Sequence, residues 1–304
     1  MKKIFSYMLE TRAGILSTTI LPVILGTALA SYCGHHINIL IFWLLLAGFA
    51  FTHLGTNIVN DYFDARDGTD NINTGFIGPF TGGSRMLQSR ALSMKEVLSE
   101  GIIFFVLAAA CFISASAGSN PVVLITGVLG IASGIFYSAP PLKISRTGFG
   151  EALVFFVFGP LITFTAYYAQ TMEPGLKLNL EPVIISIPLG LLTAAFVIIA
   201  ELPDRKADME TGKNNLAVKL GPGKTVFLYA AVSAAAYLCI PAGIALGIMP
   251  ATGLTALSGA VVSAAAMFEL WKKYKTPEKL GLACALTLVA HLITGLLLIV
   301  SLRA

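Results

Sequence analysis

The sequence predicts an all-α integral membrane protein with nine transmembrane helices, and three observations support this prediction. Hydrophobic residues make up 56% of the chain, charged residues make up only 12%, and long apolar runs follow one another along its 304 residues. Soluble domains carry about 25% charged residues. Each run is close to the ~20 residues that a helix needs to cross a bilayer. The runs are too long for β-strands and lack an alternation of period two, so we expect helices throughout.

The predicted spans form one membrane-embedded domain, residues 1–304, because no linker is long enough to separate soluble parts. The second span runs from a wholly apolar stretch, 39–50, into a polar one, and Pro140 and Pro141 end the fourth. Long connections follow spans two and six. They suggest two four-helix halves plus one added helix, with cytoplasmic cap loops over a central cavity. The spans are 14–31, 39–60, 97–117, 121–137, 150–170, 183–200, 226–246, 251–271 and 280–302.

Lysine and arginine residues predict the orientation of the chain. With nine spans, 18 of the 20 lie in the N-terminal segment or in the loops after even-numbered spans, and only Lys177 and Arg303 lie on the other side. Cytoplasmic loops carry such an excess of basic residues. We therefore expect a multi-pass protein of the inner (cytoplasmic) cell membrane, with its N-terminus and site on the cytoplasmic side and its C-terminus outside. No signal-peptide cleavage site is evident.

A polar stretch follows the second apolar run. If its helix continues through Asp64, a rotation of 100° per residue gathers five polar side chains into an arc of roughly 100°. Polar groups at membrane depth are costly and usually mark function, so we interpret this arc as the wall of a site. Its members are His53, Asn57, Asn60, Asp61 and Asp64.

A second acidic stretch follows the sixth span, where Asp204 and Asp208 stand four residues apart and share a helix face with Glu201. Oxygen ligands gathered at one depth suit Mg²⁺, which typically bridges one or two carboxylates to substrate phosphates. A solvated rim at the membrane edge is the alternative. Two acidic clusters at corresponding helix ends favour a functional site, because charged groups at membrane depth are energetically costly and usually mark function.

Basic residues lie among these acids, and mixed charge of this kind fits a phosphate-bearing ligand. For Arg66, Arg85 and Lys206, ligand contact and positive-inside anchoring both stay open. A Gly-rich segment, 76–93, could form a flexible lid, and Tyr137 is either a cavity residue or an interfacial anchor. The basic residues near the acids are Arg66, Arg85, Arg205, Lys206 and Lys213.

Several other classes are poorly supported. The basic residues form no stripe interleaved with aromatics, which argues against a nucleic-acid partner, and no obligate protein partner is evident. The four cysteines lack paired spacing, which argues against a disulfide framework or a zinc site. No Walker loop, dinucleotide fingerprint or nucleophile–base pair stands out. A cation-coupled transporter also uses intramembrane carboxylates, but near the midplane rather than at cytoplasmic helix ends.

Four ordered motifs resemble those of the UbiA-type membrane prenyltransferases, with the closest likeness to the 1,4-dihydroxy-2-naphthoate branch of menaquinone biosynthesis. The likeness extends over nearly the whole chain and includes the nine-helix pattern. The motifs are N-D-Y-F-D-A-R-D-G-T-D (60–70), G-G-S-R-M-L-Q-S-R-A-L-S (82–93), Y-S-A-P-P-L-K (137–143) and D-R-K-A-D-M-E-T-G-K-N-N-L-A-V-K-L-G (204–221).

The resemblance implies Mg²⁺-dependent transfer of a polyprenyl group from polyprenyl diphosphate to an aromatic acceptor, in the closest branch 1,4-dihydroxy-2-naphthoate with decarboxylation. It implies Asp64, Asp204 and Asp208 as catalytic residues. The expected metal ligands are Asn60, Asp61, Asp64, Asp67, Asp70, Asp204 and Asp208. The expected substrate-binding residues are Asn57, Asn60, Arg66, Arg85, Tyr137, Lys143 and Lys206.

Two departures from the family pattern leave alternatives open. Many members carry an aspartate four residues beyond the position of Asp64, where this chain has Gly68, so Asp67 and Asp70 compete for the outer place in the motif. The branch often carries asparagine before its second motif, where this chain has Ala200 and Glu201. The acceptor could instead be 4-hydroxybenzoate, homogentisate or a glycerol-phosphate lipid.

Overall fold

The computed structural model describes residues 2–171 and 179–303, and every regular element there is a helix. This confirms the predicted all-α class. The first eight helices are α1 (Lys2–Glu10), α2 (Ser17–Tyr32), α3 (Ile39–Arg66), α4 (Thr69–Ile72), α5 (Met94–Ala117), α6 (Val122–Ser138), α7 (Gly150–Phe156) and α8 (Ile162–Tyr168). The last four are α9 (Glu181–Glu210), α10 (Leu216–Ala245), α11 (Gly259–Lys273) and α12 (Gly281–Ser301). A π-helical turn, Val157–Leu161, joins α7 to α8.

Seven helices in the described ranges are long and apolar enough to cross a membrane. An eighth span results if Lys3–Ile15 and Ser17–Tyr32, which are bent by 55° at their break, count as one. Helix α6 is apolar but has only 17 residues. A multi-pass membrane protein is therefore confirmed, while the count of nine stays a prediction. Lys177, one of the two basic residues expected outside, lies outside the described residues.

Both acidic motifs continue the helix of the apolar run before them. Asn38 caps the N-terminus of helix α3, and its side chain accepts hydrogen bonds from the N–H groups of Leu40 (3.0 Å) and Ile41 (3.2 Å). It runs for 28 residues and ends before Gly68, whose φ of 90° does not continue a helix. Helix α9 runs for 30 residues and includes Asp208. The carboxylates are therefore held on rigid helices.

Close backbone contact holds α9 against the α7–α8 segment. A Cβ atom built on Gly190 would lie 2.6 Å from the carbonyl oxygen of Phe155, and one on Gly159 would lie 2.8 Å from the Cα atom of Gly190. Small residues permit such approach where lipid provides no hydrophobic driving force between helices. A larger residue at either glycine would push the second acidic motif away from its partners.

The outer surface of the helix bundle is strongly apolar. Large hydrophobic side chains on α10, α11 and α12 remain more than half exposed, including Phe227, Leu238, Val261, Phe268 and Leu282. Soluble proteins rarely expose apolar surface on this scale. Contact with lipid accounts for the pattern.

Candidate active site

A large cavity lies between the ends of α3 and α9, beneath residues 73–93, which we call the cover loop. The cavity and the solvent-open space at its mouth together measure about 1440 Å³. Phe49 lines it 15 residues before Asp64, or about 22 Å deeper along α3. The polar lining includes His53, Asn57, Asn60, Asp64, Asp70, Asn73, Tyr137, Asp204, Asp208 and Lys213. The apolar lining includes Phe49, Leu153, Phe158, Ile162, Phe196 and Val197.

Four residues of the polar arc on α3 line the cavity, and the fifth bonds to neighbouring segments instead. His53, Asn57, Asn60 and Asp64 line the cavity, and the Nδ2 atom of Asn60 donates to Asp64 Oδ2 at 3.0 Å. Asp61 does not line it. Its oxygens instead accept from the backbone N–H of Ser84 (2.7 Å) and the guanidinium of Arg12 (3.3 Å).

The second motif faces the first across the cavity mouth. Asp204 accepts hydrogen bonds from Asn73 Nδ2 at 2.7 Å and from the backbone N–H of Gly82 at 3.0 Å. Asp208 accepts from Asn215 Nδ2 at 2.8 Å. Asn73 and Gly82 belong to the cover loop, as does Ser84, which bonds Asp61, so this loop is bonded to both acidic motifs.

Lys213 joins the two motifs directly. Its Nζ atom lies 2.8 Å from Asp64 Oδ1 and 3.3 Å from Asp208 Oδ1. Burial acts to lower the pKa of Lys213, but the carboxylates of Asp64 and Asp208 outweigh it and raise this pKa above its ordinary value. The lysine is therefore a fixed positive charge inside an acidic site.

The cover loop approaches the first motif through a glycine. Gly83 has a φ of 71°, and a Cβ atom there would lie 2.8 Å from Asp70 Oδ2 and 2.9 Å from Asp61 Oδ1. Only glycine combines this conformation with such a close approach. The segment predicted as a lid, 76–93, thus lies at the cavity, lining it from Phe80 to Gly83.

Asp70 and Asp67, the two candidates for the outer position of the first acidic motif, lie in different surroundings. Asp70 lines the cavity and is 5% exposed. Burial, followed by the nearby charges of Asp64 and Asp61, raises the pKa of Asp70 to about 9. Asp67 lies outside the lining, where its Oδ2 atom pairs with Lys143 (2.6 Å) and Arg146 (3.0 Å).

The basic residues expected at the substrate lie outside the cavity lining. Arg66 is exposed and stacks over Phe63, Lys206 is exposed, and Lys143 pairs with Asp67. Arg85 donates to the carbonyl oxygen of Asp70 at 2.7 Å and so holds the cover loop. These side chains pair with protein groups or face outward because their segments turn them away from the cavity.

Several lining or supporting residues were not among those predicted to bind metal or substrate. Lys213 and Asn215 carried the available signal, since they lie five and seven residues after Asp208 within the second motif. No sequence pattern pointed to Arg12 or Asn73, because each reaches its carboxylate partner only through the packing of distant segments. The arrangement offers carboxylate oxygens and a buried cation at one end of a cavity that is apolar at the other.

Comparison with known proteins gives matches along most of the chain. A family model described as the UbiA prenyltransferase family matches residues 19–300. The 1,4-dihydroxy-2-naphthoate octaprenyltransferase of Bacillus subtilis is 27% identical over 230 residues, which cover 76% of this chain and 70% of that protein. UbiA prenyltransferase domain-containing protein 1 of Homo sapiens is 28% identical over 237 residues, which cover 75% and 64%.

A solved structure shares the fold. A UbiA homolog from Archaeoglobus fulgidus bound to GPP and Mg²⁺ superposes with a TM-score of 0.68 at 19% sequence identity. The superposition covers 98% of this chain and 98% of that one.

Proposed function

This chain belongs to the UbiA prenyltransferase family, and we propose that it transfers a polyprenyl group from polyprenyl diphosphate to 1,4-dihydroxy-2-naphthoate, with decarboxylation, in menaquinone biosynthesis. Family membership makes the chain a membrane prenyltransferase and removes the transporter alternative. One observation supports the finer proposal best. Two acidic motifs and Lys213 meet at the mouth of a cavity with an apolar interior, which suits a diphosphate head on a hydrocarbon tail.

The carboxylates at the cavity mouth fit Mg²⁺. Asp64, Asp70, Asp204 and Asp208 offer only oxygen ligands, which this hard cation prefers. Across residues 2–171 and 179–303, no three acidic, histidine or cysteine side chains are close enough to hold an ion by themselves. That is compatible with a cation bound by one or two carboxylates and by phosphate oxygens. Bound there, Mg²⁺ would supply positive charge that stabilises the departing diphosphate.

The protein's own groups have separate roles in this proposal. Lys213 presents an ammonium group at the cavity mouth, where it can bind diphosphate oxygens directly. Arg12 also lines the cavity, and its Nε atom is buried without a hydrogen-bond partner among the described residues. Asp61 holds the cover loop through Ser84. Asp61, predicted as a metal ligand, therefore acts in this proposal through the loop.

The apolar interior supports the chemistry that follows departure of diphosphate. Loss of diphosphate leaves an allylic cation, which water would capture unless it is excluded. Phe49, Phe158 and Phe196 line the interior, and the cover loop shields the mouth. The aromatic acceptor then attacks the cation through an electron-rich ring carbon, and loss of the carboxylate as CO₂ restores the aromatic ring.

The identity of the aromatic acceptor and the orientation of the chain in the membrane are proposed on separate grounds. The naphthoate assignment rests on the four sequence motifs and on the likeness to a naphthoate octaprenyltransferase of Bacillus subtilis. The distribution of lysine and arginine supports a cytoplasmic site. A prenyl donor held in the bilayer could then enter from lipid, and its diphosphate could leave to the cytoplasm.

Removal of divalent cations is expected to abolish prenyl transfer. Four acidic side chains line the mouth and Lys213 pairs with two of them, so binding of the anionic diphosphate there needs further positive charge. Purified protein would be assayed with polyprenyl diphosphate and a panel of naphthoate, 4-hydroxybenzoate and homogentisate. EDTA should stop product formation with the naphthoate, and added Mg²⁺ should restore it. Full activity in EDTA would contradict the metal role. Prenyl transfer to 4-hydroxybenzoate or homogentisate but not to the naphthoate would contradict only the assignment of the acceptor.

Asp70 and Asp67 form a matched pair for testing the outer position of the first motif. Asp70→Asn is expected to lower kcat/KM by about tenfold to a hundredfold, because it removes from the cavity wall a carboxyl group that can give up its proton to bind Mg²⁺. Asp67→Asn should change it by less than about threefold, since Asp67 pairs outside the cavity with Lys143 and Arg146. Initial rates at several Mg²⁺ concentrations provide the measurement. The reverse order of effects would assign the position to Asp67.

A further inference from the structure

Helix α1 is amphipathic, but its apolar face is the exposed one. Its apolar side chains point away from the protein, with Ile4 68%, Phe5 61%, Met8 65% and Leu9 46% exposed. Residues at i, i+1, i+4 and i+5 lie on one side of a helix. A surface helix in water would turn this side toward the core.

The opposite side of α1 is bonded to the protein. Lys3 Nζ lies 2.5 Å from Glu96 Oε1 on α5. Glu10 is fully buried, and one of its carboxylate oxygens accepts a hydrogen bond from the Ser84 hydroxyl in the cover loop. The exposed apolar side therefore requires an apolar surrounding that the chain itself does not supply.

The bilayer is the surrounding that fits. Helix α1 leads through the short turn Ala13–Ile15 into α2, and the two segments differ in direction by 55°. An amphipathic helix that joins a span at such an angle can rest in the interface between headgroups and acyl chains. Lys3 pairs with Glu96 on α5, whose Ile102 and Ile103 are also more than half exposed, so α1 stands beside a helix with an exposed apolar face, which favours lipid over a second copy of the chain.

We propose that α1 lies in the bilayer interface and that Glu10 transmits its position to the cover loop of the active site. Glu10 bonds Ser84, whose backbone N–H donates to Asp61 at 2.7 Å. Arg12 pairs with the other oxygen of Asp61 at 3.3 Å. A displacement of α1 therefore moves both partners of Asp61. Glu10 is a positioning residue, and lipid contact is coupled to closure of the cavity.

The membrane location is tested by fluorescence. Phe5→Trp would be introduced into the full chain after Trp43→Phe and Trp271→Phe remove the native tryptophans. In vesicles of phosphatidylcholine and phosphatidylglycerol, the new tryptophan should be quenched by brominated lipids and protected from acrylamide. Quenching by acrylamide alone would overturn the proposal. Protection that depends on protein concentration would assign the face to a second copy and would overturn it as well.

The coupling is tested by hydrogen exchange at the Ser84 amide. Glu10→Ala should accelerate this exchange by about tenfold, because the loop loses its hydrogen bond to a buried carboxyl group. Met8→Glu, which does not touch the loop, should accelerate it too by lifting α1 from the bilayer. Glu10→Gln keeps an oxygen acceptor for the Ser84 hydroxyl and should stay within about twofold of the wild type.

Glu181→Gln is the control, because Glu181 begins α9, at the opposite end of that helix from Asp204, which bonds the cover loop. It should leave exchange at Ser84 unchanged. Unchanged exchange in a folded Glu10→Ala protein would overturn the coupling, and so would equal acceleration at every amide of the chain. These readouts do not require activity, so their failure is separate from failure of the proposed reaction.

Discussion

Replacing Asp204 with asparagine is expected to lower kcat/KM for prenyl transfer by about a hundredfold to a thousandfold. Asn73 and the backbone of Gly82 hold this carboxylate in place at 2.7 and 3.0 Å. The amide keeps the size of the side chain but removes its negative charge. Where its NH₂ group faces the N–H of Gly82, two donors oppose each other and the hydrogen bond is lost. Initial rates across a range of Mg²⁺ concentrations should show a lower maximum and a higher Mg²⁺ requirement.

The corresponding change in the first motif extends this test. Asp64→Asn should produce a loss of similar size, because both carboxylates face the same cavity mouth. The double variant should lose much less than the product of the two single effects, since groups that act as one unit are not additive. Asp67→Asn serves as the control. Retention of more than about a third of wild-type kcat/KM in Asp204→Asn would contradict a catalytic role.

Replacing Lys213 with methionine is expected to lower the free energy of unfolding by about 3–5 kcal/mol. The ammonium group is the paired cation of Asp64 and Asp208, and its side chain is only 10% exposed. Without it, two carboxylates face each other across the cavity mouth with no compensating charge. Thermal or denaturant unfolding in detergent, without divalent cations, provides the measurement. Added Mg²⁺ should restore part of the lost stability, because a divalent cation can replace the missing charge.

A double-mutant cycle separates the ion pair from other effects of the substitution. Asp64→Asn combined with Lys213→Met removes both charges, so the double variant should be more stable than the sum of the single losses predicts. Lys206→Met is the control, since Lys206 is an exposed basic residue in the same motif, and it should change stability by less than about 0.5 kcal/mol. Additive losses in the cycle would show that Lys213 acts through packing alone.

The helix pattern and the two acidic motifs could be predicted because both are local properties. A run of apolar residues fits the bilayer wherever its neighbours lie, and a rotation of 100° per residue places Asn57, Asn60 and Asp64 together without knowledge of the fold. These three residues line the cavity. The same arc also contained Asp61, whose oxygens are directed to Ser84 and Arg12 by contacts that no helical pattern contains.

Local sequence pattern could not predict which basic residues lie in the site. Arg66, Lys206 and Lys213 all stand beside acids in the sequence, yet only Lys213 lies between the motifs. Arg66 and Lys206 are exposed on the helices that carry the acids. Lys213 follows the end of α9, where the chain turns back and brings it beneath the cavity mouth.

The sequence by itself determined that this protein is a multi-pass helical membrane protein with two acidic motifs, because hydrophobicity and helical periodicity act over a few turns of one segment. The tertiary structure alone decided which acids share the cavity. Asp70 enters it and Asp67 leaves it because the chain turns at Gly68, and Asn73, Gly82 and Lys213 arrive from segments distant in sequence. Electrostatic contacts of this kind depend on distance in space, which the order of residues does not contain.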